Sequence, residues 1–242
     1  MSDTAGVRLV ECLPEQAFGP PMQQAVLGSG HFLAEEFRFL AAKVAALAHD
    51  RCTTVGVVSA APREGKTTVA LGLAAALARA SPRRVLLLEA DLRRPVLEDV
   101  LGLPHSGGVA EWLSGRGQGV PVRMVTPPGF ALITGGRESM ARPELLGSER
   151  MAALVAACRQ AFGVVVVDCP PLSPVADAVA IQNLLDGFLL VVRGRYAARQ
   201  DVARAVTRLD QNRIHGIVFN HHPEILRGGN SSHQHYGREA RR

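Results

Sequence analysis

The fold of this chain is decided by the stretch Ser59-Ala60-Ala61-Pro62-Arg63-Glu64-Gly65-Lys66-Thr67-Thr68. It follows the apolar run Thr54 to Val58 and precedes an Ala- and Leu-rich segment from Val69 to Ala80. A strand that ends in a tight turn and opens a helix directs several backbone N–H groups and the positive helix end at one point, where an anion binds favourably. This order predicts a phosphate-binding loop between a buried strand and a helix.

Two side chains of this loop carry the predicted chemistry. Lys66 would place a compact ammonium group on the outer phosphates of a nucleotide, and the Thr67 hydroxyl would coordinate a bridging Mg²⁺ ion. One position departs from the pattern G-x-x-x-x-G-K-[ST], because Ala60 stands where that pattern has its first glycine. The alternative is a chance Gly-Lys-Thr at a helix start, which the flanking apolar strand and helix disfavour. The predicted nucleotide-binding set in the loop is Pro62, Arg63, Glu64, Gly65, Lys66, Thr67 and Thr68.

The length and composition predict one folded domain with two loose ends. The chain has 242 residues and 47% hydrophobic content, and its apolar runs are spread through the middle of the sequence. Proline and glycine without sustained periodicity predict a flexible N-terminal arm over 1–30. The central domain is predicted over 31–222, and a polar, mobile C-terminal tail over 223–242.

The apolar runs, the cysteine spacing and the net charge also limit which compartment and which partners are expected. No apolar run approaches the ~18 residues of a membrane span, and the first residues lack the order of a signal peptide, so a cytoplasmic protein is predicted. The four cysteines show no C-x-x-C spacing, which predicts reduced thiols without a zinc site. The net charge is +5, but the basic side chains are spread along the chain, so no nucleic-acid partner is expected.

Apolar runs alternate with helical patterns through the central domain. An amphipathic helix is predicted over 31–49, with an apolar stripe of Leu33, Phe37, Leu40, Val44 and Leu47. Further helices are predicted at about 65–80, 95–103, 108–113, 143–162, 175–185 and 199–210, strands at about 53–59, 84–88, 130–134, 164–167, 188–192 and 215–219, and a loop over 114–129. Such alternation predicts an α/β fold with a doubly wound, mostly parallel sheet, which binds ligands at the carboxyl ends of its strands.

Acidic residues follow two of the apolar runs. Glu89 and Asp91 occur in Leu86-Leu87-Leu88-Glu89-Ala90-Asp91-Leu92-Arg93-Arg94-Pro95, where they could face the same side of an extended segment. Asp168 ends the run Val164-Val165-Val166-Val167-Asp168, where it could hold Mg²⁺ directly or through water. Asp177 is a weaker third candidate. Any one of these acids could instead cap a helix or form a surface ion pair, but together they favour a site.

Taken in order, three motifs carry a family resemblance: S-x-x-P-x-E-G-K-T-T, L-L-L-E-A-D-L-R-R-P and V-V-V-V-D-C-P-P. They resemble those of the bacterial tyrosine kinases of capsule and exopolysaccharide assembly, a branch of the MinD and ParA type of P-loop ATPase. The similarity runs from about His31 to Phe219. Ala61 stands where many MinD and ParA relatives have an extra lysine, which points to the kinase branch. The resemblance implies a P-loop fold, with ATP and Mg²⁺ as cofactors, and autophosphorylation on tyrosine.

The resemblance also implies roles for the acidic residues and for one amide. Asp91 and Asp168 match the family's acidic positions near the metal and the transferring phosphate. Glu89 stands where the family usually has an aspartate, the base that accepts the tyrosine proton, and its extra methylene displaces the carboxylate by about an ångström. Asn220, just after the last predicted strand, lies where related ATPases contact adenine. The predicted catalytic set is Lys66, Glu89, Asp91 and Asp168, and the predicted metal ligands are Thr67 and Asp168.

The phosphoacceptor is predicted in the tail. Family members usually end in a tyrosine-rich tail, whereas this sequence has two tyrosines, Tyr196 and Tyr236. Tyr196 follows a predicted strand and is expected to be packed. Tyr236 is the candidate acceptor because a mobile tail can reach a neighbouring active site. An unmodified tail residue is the alternative.

The partners also come from the resemblance. It implies a transmembrane activator, a polysaccharide co-polymerase whose cytoplasmic tail completes the active site at the inner face of the membrane, and a tyrosine phosphatase. It implies homo-oligomers through the 31–49 helix, where Glu35 and Arg38 match a family motif E-x-x-R-x-x-R and Ala41 replaces the last arginine. Two alternatives stay open: an ATPase switch or pseudokinase that regulates a membrane polysaccharide complex without phosphotransfer, and a ParA-like DNA-binding ATPase.

Overall fold

The computed structural model describes residues 9–11, 32–47, 52–116, 119–137, 143–174 and 177–221. Within these residues eight strands form one sheet. The strands are β1 Leu9–Glu11, β2 Thr53–Ser59, β3 Val85–Glu89, β4 Val120–Val125, β5 Phe130–Ile133, β6 Val164–Asp168, β7 Gly187–Arg193 and β8 Ile214–Asn220.

Seven α-helices are described beside this sheet: α1 Phe32–Leu47, α2 Lys66–Ala80, α3 Leu97–Leu101, α4 Val109–Leu113, α5 Glu149–Ala161, α6 Asp177–Ile181 and α7 Arg199–Val206. Three short 3-10 segments accompany them, at Pro143–Gly147, Gln182–Leu184 and Gln211–Arg213. None of the helices in the described ranges is long and apolar enough to cross a membrane.

The strand order is β1-β4-β5-β3-β6-β2-β7-β8, and every neighbouring pair is parallel except β4 and β5. β2 therefore lies between β6 and β7 in the interior of the sheet. The pairing places Asp168 beside both Val57 and Glu89. Because parallel strands share one carboxyl edge, the ends of β2, β3, β6, β7 and β8 meet there. The predicted fold class, a doubly wound and mostly parallel α/β sheet, is confirmed.

Helices cover both faces of the sheet. On one face α1, α2 and α3 bury an apolar layer that includes Phe37, Leu73, Leu77 and Leu101. On the other face α4 to α7 bury a second layer that includes Trp112, Leu154, Ile181 and Ala205. All seven residues of β2 are buried, as expected for a central strand covered on both sides.

Helix α1 packs on α2 at a close approach. A Cβ atom at Gly72 would lie 2.3 Å from the Phe37 ring, so the glycine makes room for the aromatic side chain. The buried stripe of α1 is Ala34, Phe37, Ala41 and Val44, with a spacing of three or four residues. The prediction was wrong at the two ends of the stripe, because Leu33 and Leu47 are exposed.

The structure corrects several predicted boundaries. The predicted loop over 114–129 contains β4, which pairs with β1 and β5. The predicted helix over 143–162 is two segments, because the Ser148 hydroxyl accepts a hydrogen bond from the Met151 N–H and caps α5 at its own start. The helices predicted over 175–185 and 199–210 are shorter, since α6 ends at Ile181 and α7 at Val206.

The predicted N-terminal arm contains a strand that sequence patterns did not indicate. β1 pairs in parallel with Val120 to Val122 of β4. Other residues of the arm, and residues 222–242 of the predicted tail, lie outside the described residues. The boundaries of the arm and the tail stay predictions.

Candidate active site

The phosphate-binding loop runs from the end of β2 at Ser59 to the start of α2 at Lys66. Gly65, at the N-cap of α2, has a φ of +95°, which side-chain-bearing residues rarely adopt. A Cβ atom there would also lie 2.0 Å from Nδ2 of Asn220. The turn therefore needs glycine at this position both for its backbone conformation and for its packing.

Glu64 stabilises the loop from inside the protein. Its side chain is fully buried, and Oε2 accepts a hydrogen bond of 2.7 Å from the Ala61 N–H. Oε1 accepts one of 3.3 Å from the N–H of Arg193, at the end of β7. The Glu64 carbonyl accepts a bond of 2.9 Å from the side-chain amide of Asn220. Glu64 thus joins the loop to β7 and β8, and its buried carboxylate is held by two backbone N–H groups.

Arg193 is a residue of this site whose role sequence reasoning missed. Besides its N–H bond to Glu64, its guanidinium donates to the backbone carbonyl of Arg63, at 3.3 Å. An arginine at the end of a strand beside the loop was the available signal. A residue that contacts two successive loop positions fixes the loop relative to β7.

Lys66 is paired in this structure with Asp91. The distance from Nζ to Oδ2 is 2.7 Å, and both side chains are largely buried. Burial alone would lower the pKa of Lys66, but the negative charges of Asp168 and Asp91 outweigh it and hold that pKa above its ordinary value. Lys66 is therefore an ammonium ion throughout the neutral range. The structure brings together the predicted lysine and two of the predicted acids.

Asp168 is the one buried acid of the site whose carboxylate lacks hydrogen bonds. Neither oxygen has a partner among the described residues, although the side chain is completely buried. Burial raises its pKa to about 6, and the Lys66 ammonium and the nearby Thr67 hydroxyl reduce that rise. The Thr67 hydroxyl is close enough to the carboxylate to lower its pKa. A buried carboxylate that lacks a partner beside a hydroxyl matches the oxygen ligands that Mg²⁺ prefers.

Glu89 differs from Asp168 in its surroundings. Oε1 accepts hydrogen bonds from the N–H groups of Val96 and Leu97, at 2.6 and 2.9 Å, and Oε2 accepts one of 2.8 Å from the Gly135 N–H. Burial raises the pKa of Glu89 to about 7, against the opposing effect of these three donors. The carboxylate thus connects the start of α3 to the end of β5. This geometry favours a structural role, and the role of Glu89 as a base stays a prediction.

The remaining predicted residues lie in different surroundings. Pro62, Thr67 and Thr68 are half-buried and Arg63 is exposed, so one side of the loop faces solvent. Asp177 is held in an ion pair with Arg93, with Oδ2 2.5 Å from Nε, and does not pair with Lys66. Asp177 therefore does not join the Lys66 group.

Of the two tyrosines, the structure describes Tyr196 alone. Tyr196 is 49% exposed, so the expectation that it is packed was wrong. Its ring lies over the Arg193 guanidinium, at 5.2 Å from the ring centre. Tyr236 lies outside the described residues.

Two curated relatives are similar to the chain. It is 37% identical over 183 residues to the succinoglycan biosynthesis transport protein ExoP of Rhizobium meliloti, an alignment that covers 72% of this chain and 23% of ExoP. It is 29% identical over 191 residues to the tyrosine-protein kinase YwqD of Bacillus subtilis, covering 77% of this chain and 80% of YwqD. The chain thus spans less than a quarter of ExoP. No family model matches the chain.

Solved structures are similar as well. The kinase domain of the Escherichia coli tyrosine kinase ETK superposes with a TM-score of 0.74 at 28% identity, covering 83% of this chain and 79% of that domain. The septum site-determining protein MinD of Pyrococcus horikoshii gives a TM-score of 0.56 at 20% identity, covering 69% of each chain, which shows a shared fold alone. The three motifs lie at the carboxyl edge of this sheet. The similar proteins are named as tyrosine kinases and as a succinoglycan biosynthesis transport protein. The chain belongs to the bacterial tyrosine-kinase family of P-loop proteins.

Proposed function

We propose that this chain is an ATP- and Mg²⁺-dependent protein-tyrosine autokinase that acts in the assembly or export of capsule or exopolysaccharide. The observation that carries the proposal is the meeting of Lys66, Asp91 and the unpartnered Asp168 carboxylate beside a phosphate-binding loop. The names of the relatives, a succinoglycan biosynthesis transport protein and a tyrosine-protein kinase, support the reaction and the process.

The residues of the loop suit the phosphates of ATP. The backbone N–H groups at the start of α2 point out of the helix at the same end as the Lys66 ammonium group. When Lys66 turns to a phosphate, it leaves Asp91 without its present ion-pair partner. Phosphate binding and release of the Asp91 carboxylate are therefore coupled through one lysine.

The metal would be held by the chain's own oxygen atoms. The Thr67 hydroxyl would coordinate Mg²⁺, with the Asp168 carboxylate as a direct or water-mediated ligand. Bound there, Mg²⁺ would neutralise charge on the phosphates as the terminal phosphoryl group leaves. The fit rests on the buried Asp168 oxygens, which lack any other partner among the described residues.

The predicted acceptor is Tyr236 of a neighbouring copy. A phenol with an ordinary pKa of ~10 needs a nearby acceptor for its proton to react near neutrality. Glu89 is buried, so in this proposal it serves as that acceptor only after a local movement opens its carboxylate to the tyrosine. Asn220 lies against Gly65 on the β8 side of the loop, which suits the predicted contact with adenine.

A second candidate function is an ATPase switch or pseudokinase that binds ATP and regulates a membrane polysaccharide complex. The observation that favours it is the burial of Glu89, which three backbone N–H groups hold inside the protein, because a base must come within hydrogen-bond distance of the tyrosine whose proton it accepts. Steady ATP hydrolysis without phosphotyrosine would distinguish this function from the autokinase.

The proposed partners follow the family. They are the cytoplasmic tail of a transmembrane co-polymerase, which would recruit the chain to the inner face of the membrane, a tyrosine phosphatase and further copies of this chain. The outer face of α1 carries the exposed ion pair of Glu35 and Arg38, which suits self-association. Ala41 is buried against α2, so the third position of the family motif contributes no charge to that face.

Incubation with labelled ATP and Mg²⁺ tests the proposal. Phosphotyrosine is assayed in two samples. One contains the chain alone, and the other adds a peptide from the cytoplasmic tail of a co-polymerase of the same organism. Lys66→Met should abolish the label. A matched change on an exposed helix, Arg204→Met, removes a positive charge from a side chain that is 76% exposed and should keep the label. Absence of phosphotyrosine with the peptide present refutes the autokinase.

A further inference from the structure

We propose that Tyr196 is a second phosphoacceptor, modified by the active site of another copy of the chain. The inference rests on the proposed kinase function and extends it to a site on the folded domain. The acceptor predicted from the sequence alone is Tyr236, in the tail. Tyr196 instead lies on the turn that follows β7, beside the phosphate-binding loop.

The position of Tyr196 makes its side chain accessible and fixed. The side chain is about half exposed, whereas its N–H donates to the Arg193 carbonyl at 3.3 Å. Its ring lies over the Arg193 guanidinium, which in turn contacts the Arg63 carbonyl of the loop. An acceptor on a defined turn loses less conformational entropy on docking than one on an extended chain.

The charge around Tyr196 suits a phosphate group. Arg193 is in contact with the ring, and Arg195 and Arg199 are exposed within three residues of it in sequence. No carboxylate of the described residues lies within ion-pair distance of Arg195 or Arg199. A phosphotyrosine carries a charge of about −2 and three acceptor oxygens, which guanidinium groups bind strongly.

The sheet order indicates that the transfer occurs between copies. β7 flanks β2 on one side, and β6 and β3, which end in the acidic residues, lie on the other side. Tyr196 therefore follows a strand on one side of β2, whereas Asp168 ends a strand and Asp91 follows a strand on the other side. A tyrosine entering from a second copy has no such constraint.

The step is an ordinary phosphoryl transfer. The phenolic oxygen of Tyr196 forms a bond to the γ-phosphorus of ATP bound to the other copy, and the bond from that phosphorus to the bridging oxygen breaks. ADP leaves, and the phenolic proton passes to a carboxylate of that site or to water. The products are phosphotyrosine, ADP and a proton.

The two tyrosines of this sequence allow a clean test. The donor carries Tyr196→Phe and Tyr236→Phe, so it keeps Lys66 but has no tyrosine. One acceptor carries Lys66→Met and Tyr236→Phe, leaving Tyr196 alone, and a second carries Lys66→Met and Tyr196→Phe, leaving Tyr236 alone. Phenylalanine keeps the ring over Arg193 and removes the hydroxyl group only. A third acceptor with all three changes measures the background.

The assay is transfer of label from ATP and Mg²⁺ to a tagged acceptor, with mass spectrometry of the modified peptide. We expect the acceptor that retains Tyr196 to be labelled at least tenfold above background. Label on the Tyr236 acceptor alone, or on neither acceptor while the wild-type chain labels itself, overturns the inference and leaves the kinase function standing. Absence of phosphotyrosine in the wild-type chain as well overturns both.

Discussion

Asp168→Asn should stabilise the ligand-free fold relative to the wild-type chain, and increasingly so as the pH rises. Asp168 is completely buried, its oxygens lack partners among the described residues, and burial raises its pKa from 3.8 to about 6. Asparagine has the same shape and no charge. The substitution therefore removes the cost of ionising a buried carboxylate, while the cost of burying a polar group stays.

The sign and the size of this stability difference follow from how tightly the folded and unfolded chains bind the Asp168 proton. Between pH 3.8 and about 6 the folded chain holds the Asp168 proton more tightly than the unfolded chain, so stability falls as the pH rises through this window. One pKa unit corresponds to ~1.4 kcal/mol, which gives a cost of about 3 kcal/mol at pH 8 and about half of that at pH 5. The stability advantage of Asp168→Asn over the wild type should therefore about double between pH 5 and pH 8.

Denaturant unfolding of both chains at pH 5 and pH 8, without nucleotide or Mg²⁺, measures this difference. Asp201→Asn is a matched control, because Asp201 is exposed on α7 in an ion pair with Arg204 and its loss should change stability little at either pH. A difference between wild type and Asp168→Asn that is the same at both pH values, or that shrinks at pH 8, would refute the reasoning.

Three further predictions concern the residues that support the site. Gly65→Ala should weaken ATP binding at least tenfold in a calorimetric titration, because it strains a φ of +95° and collides with Asn220; unchanged affinity would contradict this. Asp186→Ala should lower the free energy of unfolding by about 1–3 kcal/mol, since Arg159 and the N–H of Thr54 lose their acceptor at the opposite edge of the sheet; a loss below ~0.5 kcal/mol in urea would refute it. Glu89→Asp should destabilise the fold by about 1–3 kcal/mol, because the shorter side chain cannot reach all three N–H donors; an unchanged melting temperature would count against the structural role.

The centre of the fold was predictable from the sequence because it is locally specified. The residues of β2 are apolar enough to be buried on both faces, and the Gly-Lys-Thr turn that follows opens α2 at Lys66. β6 and β7 are apolar runs of the same kind, and the structure places them on either side of β2. The meeting of Lys66 with Asp168 follows from the parallel order, since both lie at the same carboxyl edge.

The features that the sequence did not predict, β4 and the surroundings of Glu89, depend on contacts with residues far away in the sequence. β4 contains Pro121, and a proline weakens a strand pattern, but β1 and β5 on its two sides hold it in the sheet. The surroundings of Glu89 depend on Gly135, which is 46 residues away. Alternation along an extended segment suggested that Glu89 and Asp91 share one side, but β3 ends at Glu89 and the chain then turns. Long-range donors of this kind leave no local pattern.

The four acids of this site differ in what their carboxylates are bonded to. Glu64 and Glu89 are both buried, and both oxygens of each accept backbone N–H groups. Asp91 is paired with the ammonium group of Lys66, and Asp168 has no hydrogen-bond partner among the described residues. A carboxylate bonded to the backbone cannot change partners without moving the chain, whereas one paired with a side chain can do so when a nucleotide binds. In the proposed reaction we therefore expect Asp91 and Asp168 to exchange partners before Glu64 and Glu89 do.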